Sequence, residues 1–557
     1  MSRRLWTFHG GLHLPEHKSE STGRPLRVAP LPRRLVLPLH QHIGAPAKPI
    51  VVVGERVLKG QMLAQPEGYV SAPVHASTSG TVVAIEEHPI PHPSGLDALC
   101  IIIESDGQDT WHAGHDSPEA DYTHADPSHL RNIIRDAGIV GLGGAGFPTF
   151  IKLNPGPRTE VETLILNGAE CEPYITCDDM LMRERADEVV AGARIMRHAL
   201  HARECVIGIE DNKPDAITAI REALARASAE IELAVVPTRY PTGGEKQFIK
   251  IITGKEVPSQ GLPIDVGIVC HNVSTAAAVH RAVERAEPLI SRIVTVTGAG
   301  AAEPQNIEVR IGTPVADVLE FCGGTSGQVQ ELLLGGPMMG VRIANTTVPI
   351  TKTANCILAM SAEELSPYRR GPVRDCIRCG ACTEACPASL LPQQLYWHAR
   401  AKDFDKAQDY NLFDCIECGC CAFVCPSNLP LVQFYRFAKT EIWAQEREKK
   451  KSDLARRRHE FRVERQEREK AERAARVKAK KAAVKSGGDD KKKEAIKAAM
   501  ERAKAKRTQS ETQPKNVEDL TLEQQRKIAE VDARRAKSRE PETAGANGDN
   551  DNDKGES

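Results

Sequence analysis

The sequence lacks any uninterrupted apolar run of about 18 residues, the least that a membrane-spanning helix requires. Its N-terminus, MSRRLWTFHG, contains basic residues but not the apolar segment of a secretory signal peptide. From these absences we expect a chain that stays in the cytoplasm and has no transmembrane segment of its own. Aromatic residues are scarce, at 4% of the chain, although a hydrophobic content of 41% is enough for packed domains.

A large net charge is lacking as well, because 74 Lys and Arg residues nearly balance 75 Asp and Glu residues. The distribution is uneven, since the residues after about Lys439 are rich in Lys, Arg, Glu and Ala. Acidic residues are interleaved with the basic ones there, which favours a solvated surface, so we expect no nucleic-acid partner. Because this segment has no apolar stripe to bury, residues 445–557 are predicted to be a charged tail, helical or disordered.

A length of 557 residues predicts three or four folded units. After an N-terminal extension over 1–34, residues 35–127 show short alternating apolar segments separated by Gly, Pro and Ser, which predicts an all-β domain. The pattern resembles the barrel-sandwich fold of lipoyl and biotinyl carrier domains. The expected hairpin tip, SAPVHAST, has His75 but no lysine to modify, so we expect a structural or docking role, with His75 and Lys59 at the surface.

Strands then alternate with helices, which predicts a Rossmann-like α/β domain over 128–290 with ligands at the strand ends. The predicted strands cover 161–168, 204–211, 231–238 and 265–272, and the predicted helices between them cover 180–200 and 213–228. Residues 291–360 return to β structure with one short helix at 314–322, which suits a β-grasp unit. The whole chain is thus predicted to be a multidomain protein of the α/β and α+β classes.

Cysteine is abundant: the chain has sixteen, nine of them between positions 376 and 425. Cytoplasmic thiols stay reduced, so this concentration indicates a metal site rather than a disulfide framework. The runs CIRCGACTEACP and CIECGCCAFVCP both have the bacterial ferredoxin spacing C-x2-C-x2-C-x3-C-P. Two copies imply two [4Fe–4S] clusters in a helical domain over 361–444, with the fourth cysteine of each run bound to the other cluster.

The ligands predicted for one cluster are Cys376, Cys379, Cys382 and Cys425, and those for the other are Cys415, Cys418, Cys421 and Cys386. A pair of zinc sites is the alternative, but zinc does not require a doubled run that ends in Cys-Pro. We expect Cys420 to be a packing neighbour rather than a ligand. Five more cysteines are expected to be small buried hydrophobic residues, namely Cys100, Cys205, Cys270, Cys322 and Cys356.

A glycine-rich segment, GLGGAGFPTF at 141–150, has the G-x-G-x-x-G spacing of dinucleotide-binding loops. Such a fingerprint requires a strand before its first glycine. The preceding residues, HLRNIIRDAGIVG, instead space their apolar side chains at helical intervals. The segment is therefore not expected to be an ordinary Rossmann fingerprint.

Its surroundings match a different pattern. The motifs GLGGAGFPTFIKL, NGAECEP, YPTGGEKQ and CHNVST resemble, in this order, the flavin-site motifs of the NADH-oxidising subunit of respiratory complex I. The chain is closer still to the C subunits of the Rnf (Rsx) electron-transport complex, which add FHGGLHLPEHK, the carrier-like domain, an SLBB-like grasp domain and the doubled ferredoxin run. This resemblance covers residues 5 to 440 and leaves the tail out.

Carried over by position, the resemblance implies site residues. Those implied to bind FMN non-covalently are Gly141, Gly143, Gly144, Gly146, Lys152, Asn167, Glu170, Tyr240, Gly243, Glu245 and Asn272. Phe147 is implied to stack on the nicotinamide or adenine of NAD(H), and Glu172 to lie where the hydride passes. Two residues depart from the complex I motif: Leu142 replaces an arginine and Phe150 replaces a glycine.

The resemblance implies a peripheral subunit on the cytoplasmic side of the bacterial inner membrane. It would exchange electrons between NAD(H) and partner Rnf subunits through FMN and two [4Fe–4S] clusters, while membrane subunits couple this flow to ion translocation. One alternative is an iron–sulfur relay scaffold with a degenerate flavin site, which the departures at Leu142 and Phe150 favour. Another is the diaphorase subunit of a soluble hydrogenase or formate dehydrogenase.

Overall fold

The computed structural model describes residues 3–113, 118–119, 121–156, 159–368, 371–486, 490–509, 528–529 and 531. The chain divides into two compact units, Met1–Glu448 and Lys449–Ser557. Within the described ranges, no helix is both long enough and apolar enough to cross a membrane. Most of the predicted tail beyond residue 509, including the acidic run at the end, lies outside the described residues.

The N-terminal part is all β, as predicted. Its strands are β1 Arg27–Val28, β2 Arg34–Pro38, β3 Lys48–Pro49, β4 Arg56–Val57, β5 Met62–Gln65, β6 Val74–His75, β7 Gly80–Pro89 and β8 Asp97–Ser105. Strands β2–β8 form the barrel-sandwich domain, which has a four-stranded sheet in the order β2-β8-β7-β4 and a three-stranded sheet in the order β3-β5-β6. Pairing between β7 and β8 is antiparallel and covers most of both strands.

The expectation that Lys59 and His75 lie at the surface is wrong. Every residue from 71 to 80 is buried, and the carbonyl of Pro73 accepts from the buried ammonium group of Lys352 at 2.7 Å, so this segment is covered by other parts of the chain. Lys59 is buried because its ammonium group pairs with Asp109 at 2.6 Å and lies over the ring of Trp111. An ion pair and an aromatic ring replace the water that a lysine would otherwise require.

The central α/β domain has a parallel sheet in the order β11-β10-β9-β12. Its strands are β9 Thr163–Gly168, β10 Glu204–Glu210, β11 Glu232–Val236 and β12 Ile268–Asn272. Its helices are α1 Pro127–Asp136, α2 Thr149–Lys152, α3 Cys177–Glu184, α4 Ala186–Leu200, α5 Pro214–Arg226, α6 Glu245–Thr253 and α7 Val273–Arg285. This architecture confirms the predicted α/β fold.

One predicted helix, 180–200, is two helices in the structure. Arg185 separates α3 from α4 with φ −134° and ψ 38°, and its guanidinium donates to Glu308 at 2.6 Å. Burial alone would raise the pKa of Glu308, but Arg281 and Arg185 together hold it down at about 2. The break therefore directs Arg185 at a carboxylate of the next domain, a contact that periodicity along the helix cannot reveal.

The grasp domain has a six-stranded sheet in the order β1-β14-β13-β17-β15-β16. Its elements are β13 Ser291–Thr297, β14 Gln305–Arg310, α8 Val315–Phe321, β15 Glu331–Leu334, β16 Val341–Arg342 and β17 Cys356–Met360. The edge strand β1 comes from the N-terminal extension and pairs in parallel with β14. Part of the extension thus belongs to a sheet whose other strands lie more than 200 residues later in the sequence.

The cysteine domain consists of short helices, as predicted for a ferredoxin-type fold. They are α9 Ala362–Leu365, α10 Ala381–Glu384, α11 Pro392–Arg400, α12 Phe404–Asp409, α13 Cys420–Phe423 and the first turns of α14 Leu431–Ser486. The rest of α14, together with α15 Asp490–Gln509, gives most of the described part of the tail, which is helical, and nearly all side chains at 445–483 and 494–505 are exposed. The tail is expected to be helical or disordered, and these residues are helical.

Residues 3–12 connect the central domain to the cysteine domain. The amide of Trp6 donates to the carbonyl of Ile251 at 3.0 Å, and Leu12 exchanges two backbone hydrogen bonds with Tyr240. Between them, the amide of Gly11 donates to the carbonyl of Ala385 at 3.0 Å. Gly10 has φ +67°, and a Cβ atom there would lie 2.7 Å from backbone atoms of Ala385 and Cys386. Only glycine permits this approach.

We predict that Gly10→Ala lowers the free energy of unfolding by about 2–4 kcal/mol, through backbone strain and overpacking together. Gly95→Ala is the matched control, because Gly95 has φ +65° but no atom within 4 Å of its Cβ position. The control therefore loses only the backbone term of about 1 kcal/mol. Chemical denaturation of the two variants measures the difference, and equal destabilisation would contradict the close packing at Gly10.

Candidate functional site

The glycine-rich loop lies between α1 and α2, and no strand precedes it directly, which agrees with the helical spacing of the sequence before it. The amide of Gly141 donates to the carbonyl of Phe147 at 2.8 Å, and the amide of Gly146 donates to the carbonyl of Gly141 at 3.1 Å. These bonds close the loop on itself. The side chain of Phe147 is partly exposed beside it.

The tip of the closed loop presents backbone amides to solvent. Gly143, Gly144 and Ala145 are exposed, and among the described residues we find no acceptor for their N–H groups. Gly144 has φ +105° and open space at its Cβ position. Consecutive unpaired amides in such a loop form a concave site for an anion such as a phosphate.

The two departures from the complex I motif have structural explanations. Leu142 is 4% exposed and packs in the core, while its amide donates to the hydroxyl of Thr275 at 2.9 Å. Its carbonyl accepts from the buried guanidinium of Arg292, also at 2.9 Å. Phe150 packs edge-on against Tyr69, with ring centroids 5.9 Å apart. Residue 142 thus anchors the loop, and Phe150 contacts the barrel-sandwich domain.

Two asparagines lie near the carboxyl ends of neighbouring strands of the parallel sheet beside this loop. Asn167 in β9 and Asn272 in β12 are paired in register. The amide group of Asn167 donates to the carbonyl of Gly243 at 2.9 Å, and a Cβ atom on Gly143 would lie 3.3 Å from Asn272. The structure therefore brings the glycine loop, both asparagines and Gly243 to the carboxyl end of the sheet, where α/β folds bind ligands.

Lys152 and Glu245, both implied to contact the cofactor, form an ion pair with each other. Lys152 ends α2 and also donates to the carbonyl of Cys270 at 3.1 Å, and Glu245 begins α6. Both side chains are about one third exposed, at 30% and 38%. These two contacts leave one ammonium hydrogen of Lys152 for a further acceptor.

Glu170 accepts from the amides of Asp178 at 2.7 Å and Asp179 at 3.1 Å, at the start of α3. Burial raises its pKa to about 8, against the opposing charge of Lys18. Asp178 in turn accepts from the side-chain amide of Asn272 at 2.6 Å. The structure thus connects Glu170 to Asn272 through the start of α3.

Lys18, from the N-terminal extension, was not among the predicted site residues. Its ammonium group donates to three carbonyls of one loop, those of Glu170 at 2.7 Å, Glu172 at 2.8 Å and Ile175 at 2.6 Å. Burial lowers its pKa, and the nearby charge of Lys213 acts in the same direction, against the carboxylates of Glu170 and Glu210. The only signal in the sequence is its place in the motif FHGGLHLPEHK, which by itself gives no role to a single residue.

Glu172 faces the grasp domain. Its carboxylate accepts from the amides of Met338 at 2.8 Å and Met339 at 3.0 Å, and burial raises its pKa. Gly336 provides the space, because a Cβ there would lie 2.1 Å from Glu172. A loop of the grasp domain therefore holds the residue that is implied to lie on the hydride path.

Tyr240 points at the cysteine domain. Its side chain is 3% exposed, and its hydroxyl donates to the carbonyl of Cys418 at 2.6 Å. Burial and the nearby carboxylate of Glu172 raise its pKa well above the usual range, so the hydroxyl stays protonated. This residue, implied to bind the flavin, therefore contacts a predicted cluster-binding loop directly.

The eight ferredoxin-type cysteines line two separate cavities, each with thiols from both runs. Cys386, Cys415, Cys418 and Cys421 line the first, which we call the enclosed cavity. Cys376, Cys379, Cys382 and Cys425 line the second, which we call the open cavity. At each cavity, two residues with left-handed backbone conformation turn the chain around the thiols. They are Arg378 and Gly380 at the open cavity, and Glu417 and Gly419 at the enclosed cavity. Four thiols around one small space fit a [4Fe–4S] cluster.

The two cavities differ in what covers them. The central domain contacts the lining of the enclosed cavity. The side chain of Gln247 donates to the carbonyl of Pro387, which lines this cavity, at 3.4 Å. Asp414, just before Cys415, accepts from Lys246, from Ser259 and from an amide. At the open cavity, Cys379 and the neighbouring side chain of Ile377 are exposed. One predicted cluster is thus covered by protein and the other borders solvent.

The remaining cysteines behave as small apolar residues. Cys420 is fully buried but does not line either cavity, and the five cysteines expected to be buried are buried. Cys171 and Cys177, for which the sequence predicts no role, lie beside the candidate flavin site. The thiol of Cys171 accepts from the amide of Gly243 at 3.1 Å, and burial raises its pKa.

Four family models match this chain. They are the RnfC barrel sandwich hybrid domain at residues 6–108, the Nuo51 FMN-binding domain at 134–281, the SLBB domain at 293–342 and a 4Fe-4S dicluster domain at 375–429. These matches cover the regions where the structure has the barrel-sandwich, central, grasp and cysteine domains. They support FMN and two [4Fe–4S] clusters as cofactors.

Six curated relatives are described as the C subunit of an ion-translocating oxidoreductase complex. The relative from Serratia proteamaculans is 49% identical, over 98% of this chain and 78% of its own length. The relative from Pseudomonas aeruginosa is 50% identical, over 85% of this chain and 60% of its own length. A solved NAD+-reducing [NiFe]-hydrogenase aligns with a TM-score of 0.44 and 19% identity, over 55% of this chain and 62% of that one. The chain therefore belongs to the family of C subunits of ion-translocating oxidoreductase complexes.

Proposed function

We propose that this chain exchanges electrons between NAD(H) and other subunits of its complex through FMN and two [4Fe–4S] clusters. A flavin exchanges a hydride with a nicotinamide and releases single electrons, which iron–sulfur clusters carry one at a time. The complex couples this flow to ion translocation through its membrane subunits, and this chain attaches peripherally on the cytoplasmic side of the inner membrane. Membership of the family and the FMN and cluster domains support this function.

The observation that carries the proposal is the contact between Tyr240 and the Cys418 loop. A single buried side chain from the candidate flavin site donates to the backbone of a candidate cluster ligand at 2.6 Å. The central domain and the enclosed cavity are therefore in direct contact. We assign the enclosed cavity to the flavin side of the relay and the open cavity, with its exposed Cys379, to the side of the partner subunits.

We assign the cluster ligands by cavity. Cys386, Cys415, Cys418 and Cys421 hold the cluster of the enclosed cavity, and Cys376, Cys379, Cys382 and Cys425 hold that of the open cavity. Backbone amides already donate to the thiols of Cys376, Cys415 and Cys386 at 3.4 Å. Such hydrogen bonds stabilise thiolates and the added charge of a reduced cluster.

Around FMN we assign roles by contact. The free amides of Gly143, Gly144 and Ala145 bind the phosphate, with Lys152 as the cation that the resemblance implies, while Gly141 and Gly146 shape the loop. The remaining polar groups that bind the flavin are those of Asn167, Glu170, Tyr240, Gly243, Glu245 and Asn272. Phe147 stacks on the dinucleotide, and Glu172 borders the hydride path.

Reduction by NADH tests the function. We predict that anaerobically purified protein releases FMN on denaturation and that its flavin and cluster absorbance bleaches when NADH is added. Because Leu142 and Phe150 are held by protein contacts away from the loop tip, we expect the flavin site to be intact. Cluster absorbance without flavin, unchanged by NADH, would instead support the relay scaffold. Co-purification with a soluble hydrogenase rather than membrane subunits would support the diaphorase.

Neighbouring cysteines test the ligand assignment. We predict that Cys421→Ser loses about half of the bound iron and sulfide, because Cys421 lines the enclosed cavity. Cys420→Ser is the matched control and should retain both clusters, since Cys420 is buried outside the cavity lining. Iron and sulfide analysis with low-temperature paramagnetic resonance distinguishes the two. Loss of a cluster from the Cys420 variant alone would refute the assignment.

Lys18 tests the construction of the flavin site. We predict that Lys18→Met weakens FMN binding at least about tenfold, which corresponds to about 1.4 kcal/mol. The loop from Glu170 to Ile175 loses three hydrogen bonds from one cation and is no longer held. Lys48→Met, at an exposed lysine of β3, is the control. Fluorescence titration of FMN measures both, and unchanged binding in the Lys18 variant would rule out this positioning role.

A further inference from the structure

The similarity between the two cysteine runs continues into the helices that follow them. Tyr396 in α11 and Tyr435 in α14 both lie ten residues after the last cysteine of their run. Arg400 and Lys439 both lie fourteen residues after it. The two halves of the cysteine domain therefore each place a cation at the same repeat position, and their surroundings can be compared directly.

Lys439 is buried against the enclosed cavity. Its side chain is 8% exposed, and its ammonium group donates to the carbonyl of Cys415 at 2.7 Å and to Glu417 at 2.8 Å. Arg436 donates to the other oxygen of Glu417, also at 2.8 Å. Two cations thus share one carboxylate, which leaves one positive charge uncompensated within this group beside a candidate cluster ligand.

The counterpart position has a different environment. Arg400 is exposed, and its guanidinium lies 5.4 Å from the ring centroid of Trp397 rather than against the cysteine run. The residue that corresponds to Glu417 in the first run is Arg378, which is also exposed. Water and salt screen such charges strongly, whereas a buried charge is screened much less.

A buried positive charge affects the reduction of a nearby cluster. Each electron adds negative charge to the cluster, and a fixed cation in a region of low dielectric constant stabilises that charge. Net charge, hydrogen bonds and solvent exposure are the properties through which a protein sets the potential of such a cluster. We therefore expect the charge of Lys439 to affect the reduction potential of the neighbouring cluster strongly, and the charge of Arg400 to affect it weakly.

We propose that Lys439 raises the reduction potential of the cluster held in the enclosed cavity, and that Arg400 has no comparable effect on the other cluster. The inference rests on the proposed function for the presence of the two clusters. Lys439, which donates to the backbone carbonyl of Cys415, makes the cluster nearest the flavin site easier to reduce. Glu417 opposes this effect, because its carboxylate partly neutralises the ammonium group.

A redox titration of the full chain, monitored by paramagnetic resonance, tests the proposal. In Lys439→Met we expect the midpoint potential of one cluster to fall while the other stays unchanged. Lys439→Arg retains the charge and should restore most of the shift. Arg400→Met, the counterpart in the repeat, should leave both potentials within error of the unsubstituted protein.

Glu417→Gln provides a test of opposite sign. Removal of the carboxylate leaves the two cations uncompensated, so the potential of the same cluster should rise. A purely structural role for this group predicts cluster loss or no shift, but not opposite shifts in the two variants. An unchanged or lowered potential in Glu417→Gln would overturn the proposal, even if the Lys439→Met variant failed to assemble its cluster.

The outcomes also separate this inference from the proposed function. Two clusters whose potentials do not respond to Lys439 would refute the inference and leave the relay intact. Fewer than two clusters in the unsubstituted protein would refute the relay itself. Equal shifts in Arg400→Met and Lys439→Met would show that burial of the cation is not the cause, and would also overturn the inference.

Discussion

The hydrogen bond from the Tyr240 hydroxyl to the Cys418 carbonyl is the contact on which the arrangement of the two candidate sites depends. Because Tyr240 is buried and its hydroxyl stays protonated, the bond fixes a loop of the cysteine domain against the central domain. One cysteine-lined cavity is thereby covered and the other remains open. The two runs share their cysteine spacing, so the difference in how their cavities are covered follows from this packing and not from the spacing.

The N-terminal extension strengthens the same junction. Gly10 approaches the backbone at Cys386, Leu12 pairs with Tyr240, and Lys18 holds the loop that contains Glu170 and Glu172. A segment of fewer than twenty residues thus contacts the candidate flavin site and the candidate ligands of the enclosed cavity. Its contribution to function is positional, since none of these contacts requires reactive chemistry.

The sequence predicts what local patterns determine. Strand–helix alternation identified the parallel sheet, the helical spacing before Gly141 excluded an ordinary Rossmann loop, and the cysteine spacing indicated two cubane sites. Long-range partners were not predictable in this way. The burial of Lys59 depends on Asp109 and Trp111, and the helix break at Arg185 depends on Glu308 in another domain. Periodicity carries no information about such contacts, because the partners are distant in sequence.

The covering of one cluster by the central domain can be measured as the solvent exposure of the two clusters in the fully reduced protein. A soluble dysprosium complex speeds the relaxation of paramagnetic centres that it can approach. We expect strong enhancement for one cluster signal only, and that signal should be the one lost in Cys379→Ser. Equal enhancement of both signals, or enhancement of the signal lost in Cys418→Ser, would contradict the covering of the enclosed cavity by the central domain.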